Sequence, residues 1–311
     1  MKARVIVLGS GTSHGVPMIG CTCAVCRSTD PRDRRSRPSI YIDVEHGPAI
    51  LVDTSTDLRE QALTNGITRV DAILYTHSHA DHIMGLDDVR RFNVMQSGAI
   101  PAYADARTAT DLRRAFAYVF DPPGEQGGGI PQMSLTTIAG RFNVGGIGIQ
   151  PVPIFHGSRP ILGFRFGSLA YLTDCSRLAD EAWPLLDGVE VLILDALRHR
   201  PHPTHFTVAE ALQVAERVKP RHTYFTHVCH DLAHAATNQS LPRGVELAYD
   251  GLALTIDAAP AFAEAATSAK ASTSAQASTS AKASTSAKAS ADRSADRSAD
   301  RSADTPEDEW T

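Results

Sequence analysis

Seven consecutive residues constrain this chain more than any others. Thr76-His77-Ser78-His79-Ala80-Asp81-His82 follows directly on the apolar run Ala72–Tyr75. With 13 histidines in 311 residues, a His-x-His-x-Asp-His pattern arises by chance on the order of once in a thousand such sequences. Imidazoles and a carboxylate packed this tightly suit a borderline divalent ion such as zinc, and a turn lets alternate residues face two sites. Without a cation the three rings would repel one another when charged and be costly to bury. A strand ending at Tyr75 would hold this loop at the mouth of a sheet.

Three more candidate ligands stand at the ends of apolar runs: His156 after Val152–Phe155, Asp174 after Leu169–Thr173 and His227 after Thr223–Thr226. Taken singly, a His or Asp in such a place is more often a cap or turn residue. With the 77–82 loop they make seven ligands, enough for two metals sharing one carboxylate. Further short β-rich runs occur at Val5–Leu8, Ser39–Asp43, Ala49–Asp53, Ala72–Tyr75, Gly163–Phe166 and Val191–Leu194. Between the runs, Asp57–Asn65, Arg107–Phe120 and Thr207–Val218 carry helical apolar spacing, and Thr207 with Glu210 makes a capping box. Strands in both halves predict two sheets packed together with helices outside. Pro122–Pro131, rich in Gly and Pro, predicts a surface loop.

A second cluster is Cys21-Thr22-Cys23-Ala24-Val25-Cys26. Five cysteines, three of them within six positions, fit a metal better than disulfides. Three thiolates need a fourth ligand for a closed tetrahedral zinc. His230 is the first choice, with Cys229 and His14 as competitors. The preceding Gly9–Gly15 stretch lacks the Lys of a phosphate-cradling loop.

Composition settles the class. No stretch approaches the roughly 18 apolar residues of a membrane span, and the apolar run after Met1 is too short for a secretory signal, so a cytoplasmic protein is expected. From Ala259 the chain becomes an Ala/Ser-rich repeat ending in Ser-Ala-Asp-Arg units, almost without large apolar residues. This predicts a folded domain over 1–258 and a disordered tail over 259–311. The first part holds 27 acidic against 24 basic residues, so nucleic acid is not an expected partner.

The His77-x-His79-x-Asp81-His82 motif, followed in order by His156, Asp174 and His227, resembles the metallo-β-lactamase superfamily of hydrolases. The resemblance covers about 1–257 and implies an α/β fold, an αββα four-layer sandwich. Asp53, ending Leu51-Val52-Asp53-Thr54, matches that superfamily's first motif, although it reads equally well as a helix cap. By the resemblance, His77, His79 and His156 hold one metal, Asp81, His82 and His227 the other, and Asp174 bridges, with a hydroxide between the ions as nucleophile. Relatives that hydrolyse penicillins typically put Cys in the bridging place, whereas Asp174 points to the phosphodiesterase and thioesterase branches. The run Gly11-Thr-Ser-His-Gly-Val-Pro-Met-Ile-Gly-Cys-Thr-Cys-Ala-Val-Cys26, with Thr226-His227-Val228-Cys229-His230, is similar to the phosphoribosyl cyclic phosphodiesterases of the carbon-phosphorus lyase pathway. That similarity implies a structural zinc on Cys21, Cys23, Cys26 and His230. His205, before the capped helix, matches a His that contacts phosphate in related enzymes; His205 and Asp81 are the residues expected to act in catalysis. Arg90, Arg91 and Asn93 are weaker phosphate candidates, since a run such as Asp87-Asp-Val-Arg-Arg91 is usually just a helix face.

The expected function is hydrolysis of a small cyclic or diester phosphate by two active-site divalent metals, Zn or Mn. A thioester or lactone hydrolase is the alternative. An RNA-processing nuclease is a third reading, disfavoured because only 17 residues separate His156 from Asp174, too few for the basic arm of such relatives. The partner is a small-molecule phosphodiester; no membrane is expected, and a homodimer is allowed.

Overall fold

A computed structural model describes residues 1–121 and 129–263. Strands β1 (Lys2–Gly9), β2 (Ser39–Val44), β3 (Ala49–Val52), β4 (Ala72–Leu74), β5 (Ile100–Ala104) and β6 (Met133–Thr137) form one sheet in that order, with β15 (Ala253–Asp257) outside β1. The pairings from β3 to β6 are parallel and those from β15 to β3 antiparallel. The second sheet runs β11 (Arg177–Leu178), β8 (Ile147–His156), β9 (Arg159–Phe166), β10 (Leu169–Leu172), β12 (Val191–Asp195), β13 (His222–Thr226), β14 (Val245–Leu247), with β7 (Phe142–Val144) paired to β8. It too is antiparallel at the β8–β10 end and parallel from β10 to β14.

Period-two alternation sorts the apolar residues of each strand between two cores. Val5, Val7, Ile40, Ile42, Ile50, Val52 and Leu74 meet Phe164, Leu169, Tyr171 and Ile193 between the sheets. The alternate residues Ile6, Leu8, Leu51 and Ile73 face outward onto α1 (Leu58–Asn65), α3 (Val89–Gln96) and α4 (Ala106–Ala115). On the other side Ala170, Leu172, Leu192 and Leu194 pack against α6 (Val208–Val218). Strands covered on both faces must be apolar throughout, which is why they read as unbroken hydrophobic runs. The layers are helix, sheet, sheet, helix, the expected sandwich.

All nine expected strands are present, as are helices at the three expected places. The expected helix over 107–120 is interrupted: Phe116 leaves helical geometry at φ −121°, ψ 47°, and α5 (Ala117–Phe120) starts after it. Helices α2 (Ala80–Ile83), α3 and α7 (His234–Ser240), and strands β5, β6, β7, β11, β14 and β15, are additional. Residues 157–173, between His156 and Asp174, are taken up by a turn, β9, a second turn and β10. Most of the expected Pro122–Pro131 loop, and the tail from 264, lie outside the described residues. Ala259–Phe262 still hydrogen-bonds to Gly146, Gly148 and Asn143. Among the described residues no helix is long and apolar enough to cross a membrane.

Ile50 is fully buried between the sheets, whereas Leu63 on α1 is 62% exposed. Ile50→Ala is expected to lower unfolding free energy by about 2–5 kcal/mol, and Leu63→Ala to change it by less than about 0.5 kcal/mol. Urea titration followed by circular dichroism reads both; similar shifts for the two variants would contradict this division of the core.

Candidate metal centre

Strand ends place the predicted residues. Asp53 follows β3, the 76–82 loop follows β4, Asp174 comes two residues after β10, Asp195 ends β12 and His227 follows β13. Asp53, Asp174 and His227 have positive φ, at 63°, 54° and 58°. Asp and His tolerate the left-handed region better than most residues. Each still costs on the order of 1–3 kcal/mol, and three such residues at one place mark where the backbone turns sharply off a strand.

The predicted ligands converge. His82 Nε2 lies 3.2 Å from Asp174 Oδ1 and 3.3 Å from Asp81 Oδ2, and His227 Nε2 lies 3.3 Å from Asp174 Oδ2 and 3.8 Å from Asp81 Oδ2. Donor atoms of Asp81, His82, Asp174 and His227 form one group with all separations within 4.8 Å, and those of His77, His79 and Asp174 form another. Asp174 belongs to both. His156 joins Asp174 and His205 in a third such group, and its ring centroid is 5.0 Å from that of His79.

His77 Nε2, His82 Nε2, His227 Nε2 and Asp81 Oδ2 are buried without a hydrogen-bond partner among the described residues. Unpaired buried donors and acceptors are costly, so three of them in the Asp81, His82 and His227 group and the fourth in the adjoining His77 group fit bound cations. The charges agree. Burial works against ionisation of Asp81 and Asp174, yet His82 and His227 hold both well below the usual carboxylate range. Burial likewise opposes charge on His227, but Asp174, Asp81 and Asp195 raise it to about 9. His82 is pushed up in the same way by Asp174, Asp81 and Asp53. Around the other group, burial keeps His77 and His79 below the ordinary histidine value and His156 down at about 4. Without a metal, the carboxylates of one half draw protons onto His82 and His227, protons that a divalent cation would displace on binding, while the other half offers ring nitrogens that are already neutral.

Outer contacts orient the rings. Asp53 accepts from the Thr76 amide and hydroxyl, both at 2.8 Å, and lies 2.8 Å from His82 Nδ1. This carboxylate therefore supports the loop, as its motif implied. His156 Nδ1 lies 2.9 Å from the Thr204 carbonyl. His205 is 8% exposed, its ring stacks on His227 at 4.5 Å, and its Nδ1 lies 2.7 Å from Asp195 Oδ2. Sequence reading missed Asp195; the signal was an acid ending Val191-Leu-Ile-Leu-Asp195, the pattern that singled out Asp174. Asn93 is spent on the backbone of Gly98 and Gln132, and Arg90 pairs with Asp87.

The cysteine cluster also assembles. His230 Nδ1 lies 3.2, 3.4 and 3.6 Å from the sulfurs of Cys21, Cys23 and Cys26. A tetrahedral zinc with Zn–S of about 2.3 Å and Zn–N of about 2.0 Å has S···N edges of about 3.5 Å, so the donor set fits. The Cys26 amide donates to Cys23 Sγ and is the main cause that lowers this thiol to about 6. Cys229 and His14 stand outside the group. Arg35, 1% exposed, ties this loop to the His227 turn by donating to Cys229 O at 2.8 Å, Leu232 O at 2.6 Å and Asp33 at 3.0 Å.

Asp53→Asn keeps the left-handed backbone acceptable but removes the charge behind His82. Loss of such an outer partner is expected to weaken divalent-cation binding by about 10- to 100-fold. Competition with a chromophoric chelator measures it; unchanged affinity would contradict the supporting role of Asp53.

The family described as the beta-lactamase superfamily domain matches residues 49–228. An octanoyltransferase of Porphyromonas gingivalis is 37% identical over 259 residues, which is 82% of this chain and 52% of that protein; the chain therefore spans about half of that relative. The crystal structure of a diphosphatase from the PhnP family superposes with a TM-score of 0.78 at 47% identity, covering 83% of this chain and 99% of that one. Zinc-bound PqqB from Methylobacterium extorquens shares the fold at 20% identity and TM-score 0.62, over 81% of this chain and 99% of its own. With the family match spanning more than half of its residues, the chain belongs to the beta-lactamase superfamily and has the metallo-β-lactamase fold.

Proposed function

We propose that the chain is a metal-dependent phosphodiesterase acting on a small cyclic or diester phosphate of the phosphoribosyl 1,2-cyclic phosphate kind. One observation carries the reading: two donor groups share Asp174, and His205, backed by a buried carboxylate, stands against them. His77, His79 and His156 would hold one cation and Asp81, His82 and His227 the other, with Asp174 between them and either zinc or manganese accepted by this donor set. Such a pair of cations supplies an activated water and neutralises charge on the phosphoryl oxygens.

The chain's own residues do the rest. Asp195 accepts a hydrogen bond from His205 Nδ1–H and so fixes the ring, leaving Nε2 to deliver a proton to the departing oxygen. Asp81 and Asp174, kept ionised, hold the cations in place. The similarity to a PhnP-family diphosphatase favours a phosphorus centre over an acyl one. The octanoyl transfer named for the P. gingivalis protein belongs to a chain of which this one matches about half. Cys21, Cys23, Cys26 and His230 would hold a separate structural zinc that pins the 10–38 loop beside the His227 turn.

Metal-loaded protein is expected to hydrolyse an aryl phosphodiester, and turnover of an acyl thioester alone would overturn the reading. His205→Ala should lower kcat about 10²- to 10⁴-fold on a diester with an alkoxide leaving group, and much less with p-nitrophenolate, which needs no proton. Equal losses on the two would remove His205 as the acid. In elemental analysis Cys23→Ser should contain one zinc fewer per chain than the parent; equal zinc in both would contradict the structural site.

A further inference from the structure

Ser78 lies between two of the clustered histidines and is bound to an arginine outside the cluster. In the β8–β9 hairpin His156 pairs directly with Arg159, and directly opposed residues share one face of a sheet. Arg159 Nη2 donates to Ser78 Oγ at 2.7 Å and lies 3.5 Å from Asp111 Oδ2, which also accepts from Ser78. The side chain is only 16% exposed, and its Nε is buried with no hydrogen-bond partner. Its hydrogen bonds to described residues all run through Nη2. A guanidinium presents donors in a fork that matches phosphate in two places, and here most of the fork is unused. Arg107, exposed at the start of α4, is close enough to act on Arg159, as are Asp111 and Asp105 with the opposite sign.

We propose that Arg159 binds a second anionic group of the substrate, adjacent to the phosphoryl centre received by the histidine cluster, and thereby selects diphosphate esters over singly charged diesters. This deepens the phosphodiesterase reading and rests on it for the reaction, but the binding of a diphosphate by Arg159 can be measured without turnover. Asp111 and Ser78 hold the guanidinium in place beside His156. The cluster alone would suffice for a substrate with one charge.

The test uses metal-loaded full-length protein with ADP-ribose, which carries two adjacent charges, and bis(p-nitrophenyl) phosphate, which carries one. α,β-Methylene-ADP, whose bridge resists hydrolysis, serves as the binding probe in calorimetry. Loss of charge-assisted hydrogen bonds predicts that Arg159→Ala reduces the ratio of kcat/KM between the two substrates by about 10- to 150-fold, through KM, and weakens α,β-methylene-ADP by a similar factor. Arg159→Lys should recover part of both, and Ser78→Ala, which removes one of the two groups holding the guanidinium, should reduce the discrimination by less than Arg159→Ala does. The proposal fails if Arg159→Ala lowers both substrates equally, if it loses bound metal, or if Ser78→Ala abolishes the discrimination, since each outcome marks a merely structural arginine. It also fails if the parent protein does not bind α,β-methylene-ADP, even with diester hydrolysis intact. A parent that binds the probe through Arg159 yet hydrolyses neither substrate would instead sink the phosphodiesterase reading and leave the anion site standing.

Discussion

Asp53, Asp81, Asp174 and Asp195 are at most 7% exposed, and buried carboxylates persist only where positive or hydrogen-bonding partners compensate for lost water. Each finds an imidazole. Asp53 meets His82, Asp195 meets His205, and Asp81 and Asp174 meet His82 and His227. The first two pairs are closed at 2.7–2.8 Å. The other contacts are longer, at 3.2–3.8 Å, and they surround the ring nitrogens left without partners. Closed pairs at the periphery and open ones at the centre make a rigid frame around a place suited to positive charge.

The two-sheet architecture produces this arrangement because the strands that carry the site run in one direction within each sheet: β3 and β4 are parallel in the first, β10, β12 and β13 in the second, and β8, antiparallel to β9, runs the same way as β10. Strand ends that point the same way deliver their terminal residues to one edge, and a left-handed residue there turns the chain before it can continue. The apolar strands buried on both faces hold these ends in register. The polar cluster is thus carried by hydrophobic packing that would not by itself require it.

Legibility followed from how local each signal was. The 77–82 loop concentrates four donors in six positions, so its chemistry was readable without tertiary information, and Cys21, Cys23 and Cys26 were readable for the same reason. Asp195 was not, because its role depends on His205, which comes beside it through packing rather than sequence spacing. Arg35 carried no local signal in the sequence; its burial depends on the carbonyls of Cys229 and Leu232 and on Asp33, the first two of which packing alone brings to it. Strands β6 and β15 have little apolar pattern of their own and are defined by pairing with β5 and β1. Phe116 gives no breaker signal in the sequence, yet it departs from helical geometry and separates α4 from α5.

The proposed function requires the cluster to grip two cations that share Asp174. Crystals of metal-loaded protein, measured on both sides of the zinc and manganese absorption edges, test this directly. The prediction is two anomalous peaks about 3.5–4 Å apart, one beside His77, His79 and His156, the other beside Asp81, His82 and His227. A cluster without anomalous signal, or a single peak that leaves either half of the donors empty, would contradict it.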